Sequence, residues 1–127
     1  MTRQIIATSN APKAVGTYSQ AVKCGTTVYV SGQIALDPAS GEMMQSSIDV
    51  EIRRVFDNLK AIVAAASGNF SQVARVTVFL TDFGHFPVLN KIMADYFVEP
   101  YPSRATVQVS ALPKGANIEI DCIVELD

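Results

Sequence analysis

In the segment YPSRATVQVSALPKGANIEID, Tyr101–Asp121, two side chains have the chemistry to act on a ligand: the guanidinium of Arg104 and the carboxylate of Glu119. A guanidinium grips a planar carboxylate through two parallel, charge-assisted hydrogen bonds, a geometry that a lysine ammonium does not reproduce. A carboxylate beside an electrophilic carbon takes a proton from attacking water. Alternation along SRATVQVS separates Arg104, Thr106, Gln108 and Ser110 from Ala105, Val107, Val109 and Ala111. If this strand and the next form a regular antiparallel hairpin about Pro-Lys-Gly, their polar sides become one surface holding Arg104 near Glu119. The pair also reads as a structural ion pair or as two solvated side chains, since arginine and glutamate are mostly surface residues. Pro100 and Pro102 stiffen the approach to Arg104, and the turn LPKGAN fixes the approach to Glu119.

Other chemistries find less support. His85 is the only histidine and has no cysteine or carboxylate cluster around it in sequence, so it reads as a partly exposed surface or interface residue and no metal site is expected. Ser31 lies in VSGQ, which is not a nucleophile elbow, and with His85 the only base a serine-hydrolase triad is not expected. Cys24 and Cys122 form no C-x-x-C pair and are expected to pack as thiols. Met43 and Met44 read as a loop or strand edge. Ten basic residues against twelve acidic ones give a net charge of −2, with only Arg53 and Arg54 adjacent, a distribution unsuited to tracking nucleic-acid phosphates.

The elements that must position these residues begin with strands. TYSQAVKCG and TTVYVSGQI, separated by CGT, predict a hairpin followed by a loop through DPASGE, and QIIAT offers an additional N-terminal strand. From Ser46 the period lengthens: Ile48, Ile52, Val55, Phe56, Leu59, Ile62, Val63 and Ala66 fall on one helical face, with Arg53, Arg54, Asp57 and Lys60 on the solvated side. Ser46 with Asp49 fits a capping box, and SGN at 67–69 ends the helix. VARVTVFL, 73–80, predicts a strand. A second helix places Phe86, Leu89, Met93, Tyr96 and Phe97 on its apolar face, with Pro87 in the first turn, before EPYP forces extension. NIEIDCIVEL alternates, with Ile118, Ile120, Cys122, Val124 and Leu126 opposite Asn117, Glu119, Asp121 and Glu125.

The resulting order predicts an α+β fold, a mixed sheet with two helices on one side. Its second face carries polar groups together with apolar ones such as Ile123, and self-association is the economical use for it. A length of 127 residues suits one domain, 1–127, and the longest aliphatic run, AIVAAA, is too short to cross a bilayer. MTRQIIATSN has neither an apolar core nor a small-residue cleavage site, so a cytoplasmic location is expected.

The segments NAPKAVGTYSQAV, VYVSGQIALDPASGE, VTVFLTDFGHFPVLN and YPSRATVQVSALPKGANIEID, occurring in order, resemble the signature segments of the reactive-intermediate deaminase (RidA/YjgF) family, a resemblance that runs from about Asn10 to Val124. The resemblance implies a chorismate-mutase-like subunit, a homotrimer with ligand sites in the clefts between subunits, and no cofactor. It implies hydrolysis of the 2-imino and enamine acids released by pyridoxal-phosphate-dependent dehydratases (2-aminoacrylate, 2-iminobutanoate, 2-iminopropanoate) to 2-keto acids and ammonia.

By the same resemblance Arg104 is the carboxylate-binding arginine and Glu119 the water-activating glutamate, while Tyr18, Ser31, Gly32 and Asn90 shape the pocket. Thr106 stands where many members have cysteine, and hydrolysis of an imine by water needs no protein nucleophile at that position. The alternative is a non-catalytic trimer that binds small carboxylates through the same Arg104. Reported endoribonuclease and chaperone activities of the family form a third class, and the net charge of −2 argues against the first of these.

Overall fold

The computed structural model describes residues 2–127. Six strands, β1 (Arg3–Ile6), β2 (Ala21–Cys24), β3 (Thr27–Gln33), β4 (Val73–Leu80), β5 (Ser103–Gln108) and β6 (Ile118–Glu125), form one sheet in the order β1-β2-β3-β6-β4-β5. The N-terminal strand is present, so the expected α+β order is extended by β1. Helices α1 (Ile48–Ala65) and α2 (Phe86–Tyr96) cover one face.

Helix α1 forms for the reasons its sequence gives: Ile52, Val55, Phe56, Leu59, Ile62 and Val63 are buried along one stripe. Its cap sits one residue later than the Ser46/Asp49 pattern suggests. The Ser47 side chain accepts from the Val50 N–H, and Asp49 instead pairs with Arg53 at 2.9 Å, one turn on. The helix ends where expected, through Ser67 in the left-handed region (φ 65°) and a Gly68 N–H donated to the Val63 carbonyl.

Against this helix layer pack Val28 and Val30 of β3, Val76, Val78 and Leu80 of β4, and Ile118, Ile120, Cys122 and Val124 of β6, all buried in one hydrophobic cluster. The alternation of β6 therefore holds as read. Burial pushes the Cys122 thiol up to about 12, reinforced by Asp121, so this thiol stays protonated and packs.

The expected hairpin between β5 and β6 does not form. Strand β4 lies between them, antiparallel to β6 and parallel to β5, which α2 returns alongside β4 as a crossover. Register decides which way each side chain points. Arg104 pairs with buried Val76 and Thr106 with buried Val78, so the polar side of β5 faces the helices. Glu119 pairs with Phe79 and Asp121 with Thr77, on the face the helices leave uncovered. Ala105 and Val107 join that uncovered face, together with Tyr29 and Ile123.

Candidate functional site

Arg104 stands on the edge strand β5 beside α2. One guanidinium nitrogen donates to Asn90 Oδ1 at 2.7 Å and lies 3.6 Å from Met93 Sδ, while the guanidinium carbon sits 5.2 Å from the centre of the Phe86 ring. This combination of an amide acceptor and an aromatic face orients the fork. Among the described residues no carboxylate lies within ion-pair distance of Arg104. It lines a cavity of about 470 Å³ with Asn90, Met93, Ala94, Tyr101 and Pro102. Thr106, the next residue on the same side of β5, has its hydroxyl oxygen buried without a hydrogen-bond partner among the described residues.

Glu119 belongs to a different cavity, of about 460 Å³, lined among others by Tyr18, Ser31, Gly32, Pro113 and Lys114. Strand β3 carries an irregularity between Val30 and Gln33, where three residues span what two span on β6, and Ser31 and Gly32 occupy it. The Glu119 side chain lies against Gly32 so closely that a β-carbon there would stand 2.9 Å from its carboxyl carbon. Burial, followed by the repulsion of Asp121, raises the pKa of Glu119 above the ordinary carboxylate value. Burial also raises Asp121, opposed by a hydrogen bond from Thr77 and the charge of Arg75.

Ser31 is tied to the neighbouring loop rather than free: its hydroxyl donates to the Ser19 carbonyl at 2.6 Å and its N–H to the Gln20 carbonyl at 2.9 Å. What remains of its hydroxyl toward the cavity is acceptor capacity. Tyr18, half exposed, stands on the same loop.

The structure thus divides the expected residues into two groups. Arg104, Asn90 and Thr106 lie together on the helix side, and Tyr18, Ser31, Gly32 and Glu119 lie together around the second cavity. The single polar surface expected to join Arg104 to Glu119 within one chain is overturned, because β4 separates their strands and reverses the facing of β5. Phe86 and Met93 beside Arg104, and Asp121 beside Glu119, contribute without having been singled out for these roles.

The six-stranded α+β fold thus carries, beside one cavity, an arginine with no carboxylate partner among the described residues and, beside a second cavity on the other face of the sheet, a glutamate whose pKa is raised. The chain belongs to the RidA/YjgF family: the family model described as Endoribonuclease L-PSP matches residues 8–126. It is 50% identical over 125 residues to Protein DfrA of Myxococcus xanthus, covering 97% of this chain and 95% of that protein. It is 46% identical over 121 residues to the 2-iminobutanoate/2-iminopropanoate deaminase of Rattus norvegicus, covering 95% of this chain and 88% of that protein. The crystal structure of RidA from an Antarctic Psychrobacter superposes with a TM-score of 0.94 at 49% identity, covering 97% of this chain and 99% of that one.

Proposed function

We propose that this protein hydrolyses 2-imino acids, 2-iminobutanoate and 2-iminopropanoate together with their enamine tautomers such as 2-aminoacrylate, to 2-keto acids and ammonia. The site is composite, with Arg104, Asn90 and Thr106 from one subunit of a homotrimer and Glu119, Tyr18, Ser31 and Gly32 from the next. The observation that carries this reading is the placement of Arg104 and Glu119 on opposite faces of the sheet, each beside its own open cavity. A second copy of the chain is the economical way to bring the two together. The uncovered face, with Tyr29 50% and Val107 42% exposed, supplies apolar surface for that association.

In the composite site Arg104 grips the substrate carboxylate bidentately and Asn90 holds the guanidinium square to it. Water adds to the carbon of the protonated imine (iminium) while Glu119 takes one of its protons, giving a neutral tetrahedral carbinolamine. Glu119 gives that proton to the amine and takes the hydroxyl proton as the C–N bond breaks and the carbonyl forms, and ammonia leaves with that last proton as ammonium. General-base assistance of this kind is worth about 10² to 10⁴ in rate. No cofactor enters these steps. Pyridoxal-phosphate-dependent dehydratases would supply such substrates without any stable complex, and a cytoplasmic setting fits that supply. No helix in the described residues is long and apolar enough to cross a membrane.

The rival reading is a non-catalytic carboxylate-binding trimer that uses Arg104 alone. Ammonia release measured while a dehydratase generates 2-iminobutanoate separates them. Acceleration over the spontaneous rate is expected, and saturable keto-acid binding without acceleration would select the binding module. Despite the name of the matching family model, a chain of net charge −2 is poorly suited to tight RNA binding with a steep salt dependence.

A further inference from the structure

Among the described residues the buried polar side chains are Gln20, Gln33, Glu51 and Asn58, and each either lines the Glu119 cavity or hydrogen-bonds a segment that lines or flanks it, Gln20 also lining a separate cavity. Gln33 lines it. Gln20 clamps the Thr8–Pro12 loop, donating to the Thr8 and Pro12 carbonyls at 3.0 and 2.8 Å and accepting from the Thr8 N–H at 2.7 Å. Asn58 donates to the carbonyls of Ile34 and Leu36 at 3.1 and 3.0 Å, fixing the wall that follows β3. Glu51 does the same for the opposite wall.

Glu51 is 1% exposed, and no arginine or lysine pairs with it among the described residues. A buried carboxylate without a cation persists only where its oxygens are well hydrogen-bonded. Its Oε2 accepts the Asn117 N–H at 2.7 Å and its Oε1 accepts the Asn117 side-chain amide at 2.8 Å. The Gln45 amide reaches Oε2 at 3.3 Å and also donates to the Gly115 carbonyl at 3.0 Å. On its other side Asn117 is pinned by the Thr81 N–H, donated to its carbonyl at 3.1 Å.

The turn being held is an unfavourable one. Lys114 (φ 56°) and Gly115 (φ 68°) are both left-handed, and the lysine is disfavoured there by about 1–2 kcal/mol. Pro113 and Lys114 line the cavity, and Asn117 immediately precedes β6, of which Glu119 is the second residue, so fixing Asn117 against the helix fixes where the strand that presents Glu119 on the other face begins. An aliphatic residue at 51 would fill the space but would leave a buried N–H without an acceptor.

We infer that Glu51, though it contacts no substrate, is a positioning residue for Glu119, tethering the Leu112–Asn117 turn to α1 so that the general base enters β6 at a fixed place. This inference rests on the deaminase reading above, and it separates positioning from binding: Glu51 braces the base's half of the site and makes no contact with the half that holds Arg104.

The test is steady-state hydrolysis of dehydratase-generated 2-iminobutanoate by wild type, Glu51→Ala and Glu51→Gln, with hydrogen-exchange mass spectrometry of the peptide spanning 113–119. The expected result for Glu51→Ala is a kcat lowered about tenfold or more with KM within about twofold, and faster exchange in that peptide. Glu51→Gln, which keeps an acceptor for the Asn117 N–H, restores most of the kcat. A folded Glu51→Ala protein with wild-type kcat, or a Glu51→Gln protein no better than Glu51→Ala, overturns the inference. Should Glu51→Ala fail to fold, Asn117→Ala takes its place, since it keeps the backbone bond and removes only the amide contact. A lowered kcat at unchanged KM then supports the tether and an unchanged kcat removes it. A wild-type protein without imine hydrolysis defeats the reaction instead. The exchange rate of the peptide in Glu51→Ala then decides the tether alone, and unaltered exchange ends it.

Discussion

Gly32 and the carboxylate of Glu119 are in contact across the β3–β6 pair, and the glycine is there because no β-carbon fits beneath that carboxylate. The group that would have to yield to a methyl is the end of a flexible side chain, so the cost falls on position more than on the fold. We expect Gly32→Ala to keep its fold, by circular dichroism and melting temperature, while losing about 10² in kcat, the typical penalty for displacing a catalytic group by about 1 Å. A folded Gly32→Ala protein with wild-type kcat would mean that Glu119 need not lie where it does.

The raised pKa of Glu119 has a definite sign in a pH profile. As the proposed base, Glu119 must be ionised to accept a proton from water, and a raised pKa keeps it protonated up to higher pH, so activity is expected to fall on acidification at a pH above the ordinary glutamate value of 4.5. Asp121 contributes by repulsion, second to burial. Asp121→Asn should therefore shift the acidic limb of kcat/KM toward lower pH and leave the alkaline side alone. The profile of the variant measured beside wild type checks this; a limb that stays in place or moves up would remove Asp121 from the electrostatics of the base.

Thr106 carries a buried hydroxyl without a partner among the described residues. If that hydroxyl meets the bound carboxylate or the neighbouring subunit, Thr106→Val keeps the shape and removes a hydrogen bond worth about 1 kcal/mol, or about fivefold in affinity. We expect keto-acid binding by calorimetry to weaken to that extent while the ligand-free protein gains stability, because an unsatisfied polar group is lost. Unweakened binding would leave the hydroxyl without a function in the site.

Periodicity made most of the architecture readable. The apolar stripe of α1, the β-branched run of β4 and the alternation of β6 each answer to a local physical rule, and each appears where those rules place it. The partners of β5 were not readable locally. A short turn between β5 and β6 suggests a hairpin, whereas the pairing is settled by α2, which returns the chain parallel to β4; the strand-helix-strand order of β4, α2 and β5 was the available signal. The same event turned Arg104 toward the helices, so residue types marked the candidate groups without revealing that they face apart. Glu51 shows the complementary failure. A glutamate seven residues before Asn58 on an otherwise apolar stripe was the clue, and its meaning depends on Asn117, 66 positions away.

The most direct test of a site shared between subunits is to mix two inactive proteins. Arg104→Ala and Glu119→Gln, each expected to be inactive alone, are denatured together in equal amounts and refolded together. If each site of a trimer draws Arg104 from one subunit and Glu119 from another, as proposed, about a quarter of the sites regain both native groups, and about a quarter of wild-type imine hydrolysis should return. Mixed trimers of correct mass and no more activity than either parent would contradict the composite site.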